Sequence, residues 1–197
     1  MNDSMKTSET RKLIASLAHI YDLKTIPRAG WIQSGINPID VESIASHSYG
    51  MALLIMYLRS ALISDGVNVE RALHMALIHD VAESIVGDLT PQDQVDSGTK
   101  YAAEAAALQK IVSQVSDGEY FQELWEDFES IGSIEAQVVK RIDKLDMLIQ
   151  AFLYEKKYEL RLDSFWENMD ELFMGSESEL IYEYIRSNRF QDKRNEA

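Results

Sequence analysis

His79 and Asp80 stand side by side at the end of an apolar run, ALHMALIHD, and their types suggest metal chemistry. Neighbouring side chains on a helix diverge by about 100°, yet both can reach one ion that lies beyond the helix surface. An imidazole with a carboxylate suits a divalent cation of borderline hardness. Taken alone, such a dipeptide arises often by chance and reads as a capped or solvated pair. His47, in IASHSYGMALLIM, opens a second apolar run where burial is expected. A buried histidine is hydrogen-bonded or ligated, so His47 by itself fits a core residue with a backbone partner. Asp143 lies in VVKRIDKLDMLIQAF, flanked by Val138, Val139, Ile142, Leu145 and Leu148. A carboxylate there needs a positive partner. Lys140, three residues earlier, is the candidate partner, and Asp146, three later, is the rival to Asp143. The simple alternative is a surface salt bridge. Cysteine is absent, which excludes a thiolate nucleophile, Cys-based zinc sites and disulfides, so histidine and carboxylate must hold any metal.

Helices must position these residues. Nine glycines and three prolines leave long helices possible. A hydrophobic content of 46% is that of a folded chain rather than a disordered one. Leu13, Ile14, Leu17 and Ile20 recur at helical spacing and predict a helix over 7–21. Residues 23–43 hold two of the three prolines and read as a long loop of the kind that tends to be functional. Helices are then predicted over 46–64, 69–84, 100–115, 119–130, 133–155, 164–173 and 176–187. Gly87, Pro91 and Gly98 interrupt the pattern, and 191–197 reads as a frayed tail. No segment alternates with period two for long enough to predict a strand. The expected fold is all-α, a single domain over 1–197 with its core at about 14–184.

The order His, His-Asp, Asp over three helices resembles the HD-domain metal-dependent phosphohydrolases, and more closely their 5′-deoxynucleotidase branch. The resemblance rests on LKTIPRAGW (Leu23–Trp31), SHSYGMA (Ser46–Ala52), ALIHDVAESIVGDLTP (Ala76–Pro91) and VKRIDKLDMLIQA (Val139–Ala151). The third block, HD-x-x-E-x-x-x-x-D-x-x-P, is a specific signature. The resemblance implies an HD-domain helical bundle with a buried mononuclear metal site held by His47, His79, Asp80 and Asp143. The cofactor would be one divalent ion per chain: Mn, Co, Mg, Zn or Fe. Glu83 and Asp88 would be the catalytic carboxylates, and Arg28 and Trp31 would contact the substrate. Spacing supports Glu83 separately: four residues after His79 and three after Asp80, it can face the same site on a helix. A carboxylate there is placed to orient or deprotonate an attacking water. Asp88 follows Gly87 at the break and can reach over the pocket to protonate a leaving oxygen; a turn residue is the alternative. Guanidinium suits the forked geometry of phosphate oxygens, and Trp31 offers a wall for sugar or base. Ala29 and Gly30 separate Arg28 from Trp31, where some relatives have the two adjacent. Ser46 replaces the acidic residue that often precedes the first ligand in the family. No histidine follows His79, which favours one metal over two, because dinuclear relatives place further histidines between the HD pair and the last aspartate. His19 and His74 read as structural.

The implied reaction is hydrolysis of deoxynucleoside 5′-monophosphates. Alternatives are a triphosphohydrolase of the same superfamily or a non-catalytic nucleotide- or metal-sensing protein. A net charge of −14 argues against nucleic acid polymers and anionic membranes as partners, but not against a small phosphate ester that meets a cation in a pocket. The start of the chain lacks the apolar core of a signal peptide, and the apolar stretch from Met51 to Tyr57 is too short to span a bilayer. The expected location is cytoplasmic. A homodimer is expected, with the apolar and aromatic surface after Phe121 as its contact.

Overall fold

The structure, a computed structural model, describes residues 3–113 and 115–190, so the expected frayed tail lies outside the described residues. The centre is built from α3 (Ile44–Tyr57), α5 (Val69–Ile78) and α9 (Ile134–Tyr158), which pack on one another. Their shared interior contains Met51, Ile55, Ala72, Met75, Ile142, Leu145 and Leu148, all fully buried. Each helix starts on a side-chain cap. Ser43, Asn68 and Ser133 accept from the backbone N–H of Ser46, Arg71 and Ala136, satisfying donors that a helix N-terminus leaves open. α8 (Gly118–Ser130) packs on α5 and α9, and α7 (Ser97–Val112) packs on α8. α1 (Asp3–Asp22) lies against α7, and the buried Ser16 hydroxyl donates to the Ile111 carbonyl at 2.6 Å. α10 (Asp170–Phe173) and α11 (Glu179–Ser187) follow α9, with α11 packed against it. Among the described residues there is no strand and no helix long and apolar enough to cross a membrane. The all-α expectation holds.

Three predicted helices are broken: the run expected over 164–173 holds only a 3-10 turn at Asp163–Phe165 and α10, with Asn168 at φ 60° between them, and one of the other two breaks matters for the site. The run expected over 46–64 divides at Leu58 into α3 and α4 (Arg59–Ser64). The run expected over 69–84 stops at Ile78, and α6 (Glu83–Val86) starts only after a turn. Over that turn the backbone bonds tighten to three-residue spacing, with Val81 N–H on Ile78, Glu83 on Asp80 and Ser84 on Val81. The Ala76 carbonyl, which a continuing helix would offer to Asp80, receives the His79 ring instead at 2.9 Å. The uninterrupted helical face assumed for His79, Asp80 and Glu83 is therefore corrected to a helix end, a turn and a new helix start.

The long loop at 23–43 is a closed strap. Pro27 and Ser43 form an antiparallel bridge, with Arg28 N–H donating to Glu42 and Ile44 N–H to Ile26, each at 3.0 Å. The short α2 (Ala29–Gln33) sits inside it, with Arg28 at its N-cap and Trp31 buried.

Candidate metal centre and its pocket

Three elements deliver the cluster. His47 comes from the first turns of α3, His79 and Asp80 from the turn after α5, and Asp143 from the middle of α9. Ligand atoms of His47, His79 and Asp80 lie within 4.8 Å of one another. Asp143 joins through His47, its Oδ1 lying 3.2 Å from Nε2. Both imidazoles have a defined orientation. His47 Nδ1 donates to Asp146 Oδ2 at 2.8 Å, and His79 Nδ1 donates to the Ala76 carbonyl. Each ring therefore turns Nε2 inward, toward Asp80 Oδ2 at 3.9 Å from His47 and 3.1 Å from His79. Both Nε2 atoms are buried and make no hydrogen bond although carboxylates of Asp80 and Asp143 face them, and Glu83 Oε2 is buried without a hydrogen bond too. Buried polar atoms are nearly always paired, so three such atoms around one point mark a place built for a ligand. Two inward imidazole nitrogens with carboxylate oxygens are the donor set of a divalent cation, and outer hydrogen bonds to the far ring nitrogens are what metal-holding histidines make. The residues fit a metal.

The electrostatics agree. Burial disfavours a charged His47, but Asp143 and Asp146 overcome it and push its pKa up to about 10. Glu83 is also pushed up to about 10, first by burial and then by the neighbouring Asp80 and Asp88 charges. Asp80 is held low against its own burial by His79, Arg28 and His47, and Asp143 by Lys144 and His47. The cluster thus demands positive charge, and protons on His47 and Glu83 answer only part of what a dication would supply.

Arg28 reaches in from the strap. Its Nη1 lies 3.0 Å from Asp80 Oδ2 and 3.6 Å from both Glu83 Oε2 and Asp88 Oδ1. Asp88 is held beside it, its Oδ2 accepting the Ala29 N–H at 2.7 Å. Gly87, at φ 82°, makes the turn that aims Asp88 back over the cluster. The cleft in front has a volume of about 670 Å³. Trp31 borders it but is only 2% exposed, with its Nε1–H on Glu42 and its ring stacked on Phe165 at 4.4 Å. Phe165, partly exposed, lines the cleft beside Trp31. His74 is elsewhere, paired with the Tyr120 hydroxyl at 2.8 Å.

Other participants were not read from sequence. Asp146, weighed only as a rival to Asp143, instead orients His47, and it lies against Gly50, where a Cβ would come within 2.1 Å of its Oδ1. Its spacing from Asp143 was the available signal. The partner of Asp143 is Lys144 at 3.2 Å; Lys140, expected in that role, pairs with Glu129 and lies over the Phe128 ring. Lys100 enters the pocket from α7 with no local sequence signal.

Comparisons with known proteins agree with this architecture. A family model described as HD domain matches residues 20–180. The 5′-deoxynucleotidase hdd1 of Schizosaccharomyces pombe is 38% identical over 160 residues, covering 78% of this chain and 78% of that protein. The Homo sapiens 5′-deoxynucleotidase HDDC2 is 35% identical over 147 residues, covering 74% of this chain and 69% of that protein. A crystal structure of a Pyrococcus horikoshii protein superimposes with a TM-score of 0.72 at 35% identity, covering 88% of this chain and 96% of that one. With this cluster and fold, and a family model that matches residues 20–180, the chain belongs to the HD-domain family.

Proposed function

We propose that this chain is a cytoplasmic, single-domain 5′-deoxynucleotidase with one divalent ion per chain, releasing phosphate from deoxynucleoside 5′-monophosphates. The observation that carries the reading is the convergence of three buried atoms that make no hydrogen bond, His47 Nε2, His79 Nε2 and Glu83 Oε2, beside Asp80, Asp143 and Arg28. His47, His79, Asp80 and Asp143 would hold the cation. When bound, it supplies positive charge that neutralises phosphoryl oxygens and draws the Glu83 pKa back toward the carboxylate range. Arg28 orients the phosphate through its forked donors. Glu83 takes a proton from the attacking water as the new P–O bond forms. The P–O5′ bond breaks with its electron pair on O5′, and Asp88 supplies the proton that makes O5′ a hydroxyl. Phe165, backed by Trp31, offers an apolar face to the nucleoside.

Monophosphate selectivity follows from the pairing of the pocket cations. Arg28, Lys100, Lys140 and Lys144 each face a carboxylate, at 3.0, 3.5, 3.1 and 3.2 Å. Further phosphates would meet cations already neutralised. We also infer a homodimer, supported by exposed Met174, Leu180 and Tyr184 around α11. The test is phosphate release from deoxy- and ribonucleoside mono-, di- and triphosphates with a series of divalent metals, alongside elemental analysis. Turnover is expected on deoxynucleoside monophosphates. Efficient triphosphate turnover would assign the triphosphohydrolase reading, and no release under any metal would assign the sensing one.

A further inference from the structure

Lys100 stands where helix energetics disfavour it. It lies in the opening turns of α7, near the positive end of the helix dipole, where a cation is unfavourable. Its partner Glu104 follows four residues later, and lysine before glutamate is the weaker of the two orders for such a pair. Glu104 is buried, so the pair also carries a desolvation cost that a surface pair avoids. Stability of α7 therefore does not account for Lys100.

Its contacts point to another role. Lys100 Nζ donates to the Leu89 carbonyl at 3.1 Å, while Glu104 Oε1 approaches the same Nζ at 3.5 Å. Leu89 directly follows Asp88, and Gly87 directly precedes it at φ 82°, in the left-handed region that favours glycine. The Asp88 carboxylate is fixed from the strap side by Ala29 N–H and Arg28. Thr90 adds an exposed contact to Gln33, again on the strap side. Lys100 is the hold from the α7 side, so the loop is clamped between two elements.

We propose that Lys100 is a positioning residue, braced by Glu104, that holds the Asp88 loop so that Asp88 meets the leaving oxygen. This rests on the reading of Asp88 as the proton donor. The two ideas separate by leaving group. An alkoxide leaving group needs the Asp88 proton, whereas nitrophenolate is acidic enough to depart without it. Steady-state kinetics of the metal-loaded full chain would compare wild type, Lys100→Met, Lys100→Arg, Asp88→Asn and the Lys100→Met/Asp88→Asn double variant. The substrates are a deoxynucleoside 5′-monophosphate and p-nitrophenyl phosphate. Lys100→Met is expected to lower kcat on the nucleotide about tenfold or more, within the range of general acid assistance. It should do so with little change in KM and a much smaller loss on nitrophenyl phosphate. Lys100→Arg should recover part of the loss, and the double variant should be no worse than Asp88→Asn, because the residues act as one unit. A raised KM on both substrates would make Lys100 a direct phosphate contact and overturn the proposal. So would equal kcat losses on both substrates, or additive losses in the double variant. If Asp88→Asn itself loses equally on both, Asp88 is not the donor and the role of Lys100 falls with it. A leaving-group-dependent Asp88→Asn beside an indifferent Lys100→Met overturns Lys100 alone.

Discussion

Glu83 and Glu155 are both buried glutamates, 5% and 3% exposed, and they are treated in opposite ways. Glu155 has every need met. Its Oε1 accepts the Leu162 N–H at 2.8 Å and an Arg189 N–H, and its Oε2 accepts Arg189 Nε–H at 2.9 Å. The guanidinium is in turn stacked over Trp166 and shared with Asp163. Glu155 thus ties the segment after α9 to the end of the described chain. Glu83 has an Oε2 with no hydrogen-bond partner, Asp80 and Asp88 as like-charged neighbours, and Arg28 at 3.6 Å. The carboxylate of Glu155 is closed by its partners, while Glu83 leaves an oxygen open to what enters the pocket, as the proposed role requires.

The largest expected effect lies on the open side. His79→Ala and Asp80→Ala should each remove bound metal, read by elemental analysis, and reduce phosphate release to background. Retention of a full equivalent of metal by both variants would break the assignment of the cluster. Exchanging each glutamate for glutamine sharpens the contrast. Glu83→Gln should lose about 10²-fold in kcat while the metal-free melting temperature at neutral pH hardly moves, because the amide resembles the protonated carboxyl already present. Glu155→Gln should do the reverse. Leaving Arg189 without its carboxylate should cost about 2 kcal/mol of stability, with kcat near that of wild type. A Glu83→Gln variant with normal turnover, or a Glu155→Gln variant with normal stability, would erase the distinction.

The smallest effect is a pH dependence. His47 and Glu83 have folded pKa values raised to about 10 from 6.5 and 4.5. Their contribution to metal-free stability is fully present below those unfolded values and is lost as pH rises toward about 10. Asp80 and Asp143 are depressed below 3.8, so their contribution is lost only as pH falls through their folded values, outside that window. Chelator-treated protein should therefore melt at falling temperature from neutral to alkaline pH. Metal-loaded protein should hold or gain stability there, because fewer protons compete with the ion. Parallel profiles for the two forms would contradict this coupling.

The all-helical class, the buried character of α3, α5 and α9, and the residue types on which the site depends are legible in the linear chain. Those followed from apolar periodicity and from a signature within one contiguous block, His79 to Pro91, where chemistry is written in local order. The family likeness named His47 and Asp143 as well. It did not show that His79, Asp80 and Glu83 span a broken helix, where the His79 ring takes the Ala76 carbonyl. The neighbours that serve those residues come from packing between elements: Asp146 on His47, Lys144 rather than Lys140 on Asp143, Phe165 stacked on Trp31, and Lys100 on the Asp88 loop. Apart from Lys144, each of these partnerships joins residues on different elements, where distance in sequence carries no information about contact. Lys140 and Lys144 were both within one turn of Asp143, and the choice between them fell to Glu129 and Phe128, which the packing of α8 on α9 brings to Lys140.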